Sequence, residues 1–159
     1  MATAGDGARN EFIEGLALVL AGSGLQRMAA RMLAAVLSSE SGSSTVPELT
    51  ETLQVSPAAI SGAGRALIQS GFLIKTRNPG DRLDSYSLGG DHWYEAVISR
   101  NPVYERLAAE LERGVRAVGP KTAPGRRLAE TRDFFAFIAE RTPELVREWQ
   151  QLRDARDGA

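Results

Sequence analysis

The stretch SPAAISGAGRALIQSGFLIKTRNPGDRLDSYSL, residues 56–88, decides the fold of this 159-residue chain. Ser56 is a favourable N-cap, Pro57 suits the first position of a helix, and Gly71 is a suitable left-handed stop. The stretch therefore predicts a helix over residues 57–70.

One face of this helix is apolar, and the opposite face is small and polar. Helical spacing places Ile60, Ala63, Leu67 and Ile68 on the apolar face. The opposite face comprises Ala58, Ser61, Gly62, Arg65 and Gln69. A solvated helix face usually gains from pairs of opposite charges and avoids glycine, which costs about 1 kcal/mol relative to alanine. This face is therefore predicted to lie close to another molecule.

A β-hairpin is expected after the helix. Residues 72–77 and 83–88 are rich in β-branched, aromatic and alternating residues, and Asn78-Pro79-Gly80-Asp81 between them has the chemistry of a turn. The apolar residues expected to pack on the helix are Phe72, Ile74, Tyr86 and Leu88. The cations expected to point outward near the tip are Lys75, Arg77 and Arg82.

Helices are also predicted before this stretch, over residues 11–21 with Asn10 as the cap, and over residues 26–39. Thr45 and Glu48 have the spacing of a capping box, which predicts a short helix to about residue 53. Because only two residues separate that helix from Ser56, the pair is predicted to be a helix-turn-helix, and the hairpin makes it winged.

Beyond the hairpin, a helix is expected from Asp91, with a restart at Asn101-Pro102 and an end at Gly119. A linker over 120–125, a helix over 126–141 and a last helix capped by Thr142-Pro143 follow. These helices carry more large apolar side chains than a small winged domain can cover, and burying each is worth roughly 1.5–3 kcal/mol. A two-fold dimer is the simplest way to bury them.

The predicted fold is mainly α with a small β-hairpin wing: a winged helix-turn-helix with flanking dimerisation helices. Residues 10–90 are expected to form the DNA-binding domain, with the N-terminal helix contributing to dimerisation. Residues 91–156 are expected to supply the C-terminal dimerisation helices.

The charge distribution singles out the same stretch. Net charge is only −1, but residues 56–88 carry four Lys or Arg against two Asp, whereas residues 1–55 carry three Arg against six Asp or Glu. The helix and hairpin are thus the one net positive part, which favours local contact with nucleic acid.

Several classes of function are not expected. The chain has no cysteine and a single histidine, His92, which removes the common nucleophile and metal-ligand sets, and it has no glycine-rich phosphate loop. We therefore expect no enzyme, no cofactor and no metal. Because no apolar run reaches the roughly 20 residues that span a bilayer and no signal peptide is recognisable, a cytoplasmic protein without membrane contact is predicted.

The order of elements, the 56–88 stretch and the sequence DHWYEAVISRN after it resemble the MarR superfamily of bacterial winged-helix regulators, particularly its GbsR-like branch. The resemblance covers about residues 11–119 and is most specific at S-x-x-x-x-S in the helix and P-G-D-R in the hairpin. It departs from the family in having a single cation, and no Asn or Gln, in the first turns of the helix.

The resemblance implies that the 57–70 helix enters the major groove of double-stranded DNA and that the wing reaches the minor groove or backbone. The helix residues implied to lie at DNA are Ser56, Ala58, Ser61, Gly62 and Arg65. Arg82 is implied to grip at the wing together with Arg77 and Lys75, and Asp81 to orient Arg82 or another arginine.

These observations predict a transcriptional regulator that acts as a homodimer on a pseudo-palindromic operator, most often as a repressor. A small-molecule effector is implied by resemblance alone, and the residues considered for its pocket are His92, Trp93 and Tyr94. The alternative is a winged-helix module that binds protein and not DNA. Salt dependence separates the two, because each neutralised phosphate lowers affinity by about 0.9 log unit per log unit of salt.

Overall fold

The structure, a computed structural model, describes residues 4–77, 83–90, 93–100 and 102–157. The chain divides into two compact units, residues 1–97 and residues 98–159. The helices that begin in the N-terminal unit are α1 (Ala4–Gly22), α2 (Arg27–Leu37), α3 (Val46–Leu53), α4 (Pro57–Gln69) and α5 (Trp93–Arg100). Its strands are β1 (Ser43–Thr45), β2 (Ile74–Thr76) and β3 (Ser85–Ser87).

Helix α2 lies at the centre of the N-terminal core. Met32, Leu33 and Val36 are at most 1% exposed, and so are four of its alanines. Because alanine adds little bulk, the neighbouring helices α1 and α4 pack closely on α2. This packing fixes α4, the helix expected at DNA, on a rigid support.

Helix α1 begins earlier than predicted, at Ala4, so the expected cap at Asn10 is wrong. The first turns are held by a tertiary contact. The guanidinium of Arg9 donates to the Ala35 carbonyl at 3.2 Å and to the Ser38 hydroxyl at 3.3 Å, at the end of α2. A contact of this kind overrides the weak local helix propensity of the glycine-rich N-terminus.

The capping box at the start of α3 is confirmed. The Thr45 hydroxyl accepts a hydrogen bond from the Glu48 N–H at 3.4 Å, and the Glu48 carboxylate accepts one from the Thr45 N–H at 2.7 Å. The backbone hydrogen bond from Thr45 lowers the pKa of Glu48. This cap sets where the helix-turn-helix begins.

The sheet has three antiparallel strands in the order β1-β3-β2. Strand β1 was not predicted, because three small polar residues carry no alternating apolar signal. The Ser87 hydroxyl lies 2.9 Å from the Ser43 hydroxyl and 2.9 Å from the Thr76 hydroxyl. These three side chains, the hydroxyl row, join all three strands.

The predicted packing of Ile74 against the helix is wrong. Ile74 is 46% exposed, whereas its neighbour Leu73 is 1% exposed and belongs to the core. The N–H groups of Phe72 and Leu73 both donate to the Leu67 carbonyl, so the chain is still turning away from α4 at Leu73. Shifting a strand by one residue exchanges its two faces, which explains the error.

In the C-terminal unit, α6 (Val103–Val118) and α7 (Ala123–Asp157) form an antiparallel pair. Tyr104 stacks on Phe135 with ring centroids 6.0 Å apart, and Arg132 forms an ion pair with Glu112. The predicted linker over 120–125 is shorter in the structure, because the Thr122 hydroxyl accepts from the Gly125 N–H at 3.0 Å and starts α7.

The predicted helix break at Thr142-Pro143 is wrong, since α7 continues through Pro143. Proline fits helical φ angles but lacks the N–H that would bond four residues back. The Thr142 side chain is not a cap but donates to the Ile138 carbonyl at 2.7 Å. The helix therefore remains continuous for 35 residues.

One side of α7 carries large apolar side chains that are more than half exposed in the single chain. This α7 stripe comprises Phe134, Phe137, Leu145 and Leu152. Among the residues that the structure describes, no helix is long and apolar enough to cross a membrane.

Candidate nucleic-acid interface

Helix α4 has well-defined ends. The Ser56 hydroxyl accepts a hydrogen bond from the Ala59 N–H at 3.2 Å, Pro57 begins the helix, and Gly71, which follows the C-cap residue Ser70, has a φ of 78°. The preceding turn is tight, because Gln54 adopts a left-handed φ of 52°. The predicted helix-turn-helix is thus formed by α3, Gln54 to Ser56, and α4.

The two faces of α4 are close to those expected. Ile60, Ala63 and Leu67 are at most 3% exposed. The predicted DNA-facing residues Ser56, Ala58, Ser61 and Arg65 are exposed, and Gly62 is half-buried. Ile68 was wrongly placed on the buried face: it is 38% exposed.

Gly64, one turn before Ile68, is buried. A Cβ atom at Gly64 would lie 2.4 Å from the Tyr86 ring, and Tyr86 is 4% exposed. Glycine therefore allows strand β3 to lie directly on α4. This close approach fixes the hairpin beside the exposed face of α4.

Arg31 ties the helix-turn-helix to the rest of the unit. Its guanidinium donates to the Glu14 carboxylate of α1 at 2.7 Å and to the Leu53 carbonyl at 3.2 Å. Leu53 is the last residue of α3, so this bond satisfies a carbonyl that has no partner within the helix. Sequence reasoning did not identify this role, because both partners lie far from Arg31 in the sequence.

Two of the three predicted wing cations share one carboxylate. Asp84 accepts from Lys75 with an N–O distance of 2.6 Å and from Arg77 with one of 2.7 Å. The hydrogen bond from Lys75 lowers the pKa of Asp84, and the same bond raises the pKa of Lys75. Sequence reasoning did not assign a role to Asp84. Arg82 and Asp81 lie outside the described residues.

Trp93 and Tyr94, two of the predicted pocket residues, line one open cavity of about 580 Å³ in the N-terminal unit. Leu37 and Leu88 add apolar surface, and the other lining residues are Ser41, Gly42, Ser43, Ser87 and Gly90. Trp93 also contacts Phe72, with ring centroids 6.2 Å apart. His92 lies outside the described residues.

Within the described ranges, no three His, Cys, Asp or Glu side chains are grouped so that they could hold a metal ion. The exposed groups of α4 and the hairpin include the hydroxyls of Ser56 and Ser61 and the cations Arg65, Lys75 and Arg77. Such groups bind phosphate oxygens and base edges.

Two family models match the chain. Residues 23–82 match a model described as MarR family, and residues 91–153 match one described as MmpR5-like MarR family transcriptional regulator. The first match contains α3, α4 and strand β2.

Individual proteins extend the similarity over most of the chain. The HTH-type transcriptional regulator MmpR5 of Mycobacterium tuberculosis (strain ATCC 25618 / H37Rv) is 28% identical over 142 residues, which are 89% of this chain and 86% of that protein. A crystal structure described as a transcriptional regulator matches with a TM-score of 0.78 and 27% identity, covering 91% of this chain and 99% of that one. The predicted winged-helix fold is thereby confirmed.

Proposed function

We propose that the chain is a member of the MarR family of winged-helix transcriptional regulators and that it represses transcription as a homodimer on a pseudo-palindromic operator. We propose that the protein binds DNA without catalysing a reaction and that it acts in the cytoplasm. Membership of the GbsR-like branch stays a prediction.

The exposed face of α4 is the observation that carries this proposal. Ser61 and Arg65 are exposed on a helix that is otherwise anchored by buried residues, and the face between them is lined by small residues. Small side chains let the backbone approach DNA, Ser hydroxyls bind phosphate, and Arg65 has the geometry for a bidentate contact with guanine. We propose that α4 enters the major groove.

The wing supplies the second part of the proposed contact. Lys75 and Arg77 are half exposed or more on the hairpin that Gly64 and Tyr86 hold beside α4. We propose that these cations bind the DNA backbone, and we retain Arg82 as the predicted minor-groove residue.

Dimerisation is supported by apolar surface that a single chain leaves in water. The α7 stripe is more than half exposed, as are Leu18 and Val19 of α1. Burying such side chains is worth roughly 1.5–3 kcal/mol each. We propose that residues 91–156 form the dimer with help from α1, while residues 10–90 bind DNA.

Replacing Arg65 tests the DNA assignment. We expect Arg65→Ala to weaken operator binding by about 1–3 kcal/mol and to relax the preference at one base pair in each half-site. The measurement is fluorescence anisotropy on duplexes selected from a random pool by the parent protein, with sequencing of the selected fraction for both proteins.

Arg113→Ala is the matched control, because it removes one exposed arginine from α6 in the C-terminal unit. Its operator affinity should equal that of the parent. If Arg65→Ala also binds like the parent, α4 does not read the operator. Weak, salt-insensitive and sequence-blind binding by the parent would favour the protein-interaction alternative.

We further propose that the cavity beside Trp93 binds a small-molecule effector. Because the cavity walls combine apolar side chains with serine hydroxyls, the effector should have an apolar ring and a group that can hydrogen-bond to a hydroxyl. Compounds of this kind that bind should raise the melting temperature of the parent protein by several degrees when the ligand concentration is 100 times Kd. At that concentration binding adds about 2.7 kcal/mol to the free energy of unfolding. These compounds should also lower operator affinity.

Trp93→Ala should lose both effects, each measured against its own ligand-free state. Trp149→Ala, which changes the other tryptophan of the chain, should keep them. Equal ligand responses in the parent and Trp93→Ala would place the effector elsewhere.

A further inference from the structure

Three charged side chains occupy one face of the hairpin. Thr76 pairs with Ser85 and Lys75 pairs with Tyr86 in the antiparallel ladder. Because side chains alternate along a strand, Lys75, Arg77 and Asp84 share the face of Tyr86. Tyr86 lies against Gly64 of α4. The three charged side chains therefore lie on the same face of the hairpin as Tyr86, which is the face directed towards α4.

Asp84 uses both carboxylate oxygens within this group. Oδ2 lies 2.6 Å from Lys75 Nζ, and Oδ1 lies 2.7 Å from Arg77 Nη2 and 2.7 Å from Arg77 Nε. The Asp84 side chain is 29% exposed, against 50% for Lys75 and 60% for Arg77. The lowered pKa of Asp84 and the raised pKa of Lys75 keep these two groups ionised at neutral pH. The group thus presents one net positive charge instead of two.

The position of Asp84 is not explained by the stability of the hairpin. Ion pairs between exposed side chains contribute little to folding. The opposite face of the sheet is already joined by the hydroxyl row, and the charged face is anchored through buried Tyr86. The main effect of these ion pairs therefore falls on what the hairpin binds.

A phosphate that approaches Lys75 or Arg77 has to compete with Asp84. On an arbitrary stretch of DNA, this competition removes much of the binding free energy that is gained when a cation neutralises a phosphate. Where the phosphates match the fixed positions of the two cations, less side-chain freedom is lost on binding, which offsets the competition. Such a match is expected only when α4 is seated in its own operator.

We propose that Asp84 is a specificity-determining residue, which suppresses binding to non-operator DNA by holding Lys75 and Arg77 in fixed ion pairs. This inference rests on the proposed DNA-binding function. It assigns to Asp84 a positioning role that acts through the two cations, with no contact of its own to DNA.

Asp84→Asn tests the inference, since it removes the charge and keeps the shape. On a pool of random duplexes, the association constant should rise about five- to tenfold at 0.1 M salt, and the slope of log K against log salt should steepen by about 0.9, as for one more neutralised phosphate. The ratio of operator to random affinity should fall severalfold. Anisotropy titrations over a salt series give all three quantities.

Two control variants separate position from net charge. Asp84→Glu keeps the carboxylate and should retain most of the parent's discrimination. Glu144→Gln removes a carboxylate from an exposed ion pair with Arg141 on α7, so it makes the same change in net charge outside the hairpin. It should leave the slope unchanged.

The outcomes are distinct. If the parent binds DNA and Asp84→Asn has the same slope and random-pool affinity, the inference about Asp84 is overturned while the proposed function stands. If Glu144→Gln steepens the slope equally, net charge is the cause and the inference is also overturned. If the parent shows no salt-dependent DNA binding, both proposals fail together.

Discussion

Replacement of Leu67 by alanine should lower the free energy of unfolding by about 2–5 kcal/mol, the range for deleting a large buried aliphatic side chain. Leu67 is fully buried in the core beneath α4. Its loss leaves a cavity where α4 rests on the core. Urea unfolding of parent and variant, at one fixed protein concentration because association shifts apparent stability, gives the difference.

The adjacent residue supplies the control. Ile68 is 38% exposed, so Ile68→Ala should cost less than about 1 kcal/mol, as most surface substitutions do. Sequence spacing put both residues on one apolar face, whereas the structure separates them. Equal losses for the two variants would mean that α4 is rotated from the orientation described.

Gly64→Ala and Gly62→Ala should change stability in opposite directions, although the two glycines are two positions apart in α4. Among the described residues, no heavy atom lies within 4 Å of a Cβ at Gly62, whereas a Cβ at Gly64 would lie 2.4 Å from the Tyr86 ring. Gly62→Ala should gain up to about 1 kcal/mol from helix propensity. Gly64→Ala has the same gain from helix propensity, but overpacking against Tyr86 costs about 1–3 kcal/mol. The free energies of unfolding of the two variants should differ by that cost.

A second-site change shows whether Tyr86 is the cause. In the Tyr86→Leu background, where the ring is gone, the difference between the two alanine variants should largely disappear in thermal or urea unfolding. If the difference persists in that background, the clash with Tyr86 is not its origin.

Much of the fold could be predicted because local signals and tertiary packing agree. Ser56, Pro57 and Gly71 fix the ends of α4, and the Thr45 and Glu48 capping box starts α3. The signals failed where a distant contact decided the outcome. Arg9 extends α1 through its bonds to α2, and β1 forms only because β3 lies beside it.

The sequence predicted which residues are exposed at the candidate site better than it predicted the contacts that they make. Arg65 and Ser61 follow from helical spacing and lie exposed as expected. Asp84 and Arg31 were missed, because each acts by pairing with residues that are distant in sequence or on a neighbouring strand. Periodicity identifies the face on which a side chain lies, but it does not identify the partner that the side chain meets.

The two faces of the wing differ in how ionic strength acts on them. The hydroxyl row is uncharged, so added salt leaves its hydrogen bonds, and with them the alignment of the three strands, essentially unchanged. The DNA contact proposed for the opposite face depends on Coulomb attraction, which weakens as the Debye length shortens from about 10 Å at 0.1 M to about 3 Å at 1 M. In the proposed complex, added salt should therefore release the protein from DNA while the wing keeps its shape, so that the protein can bind again on dilution.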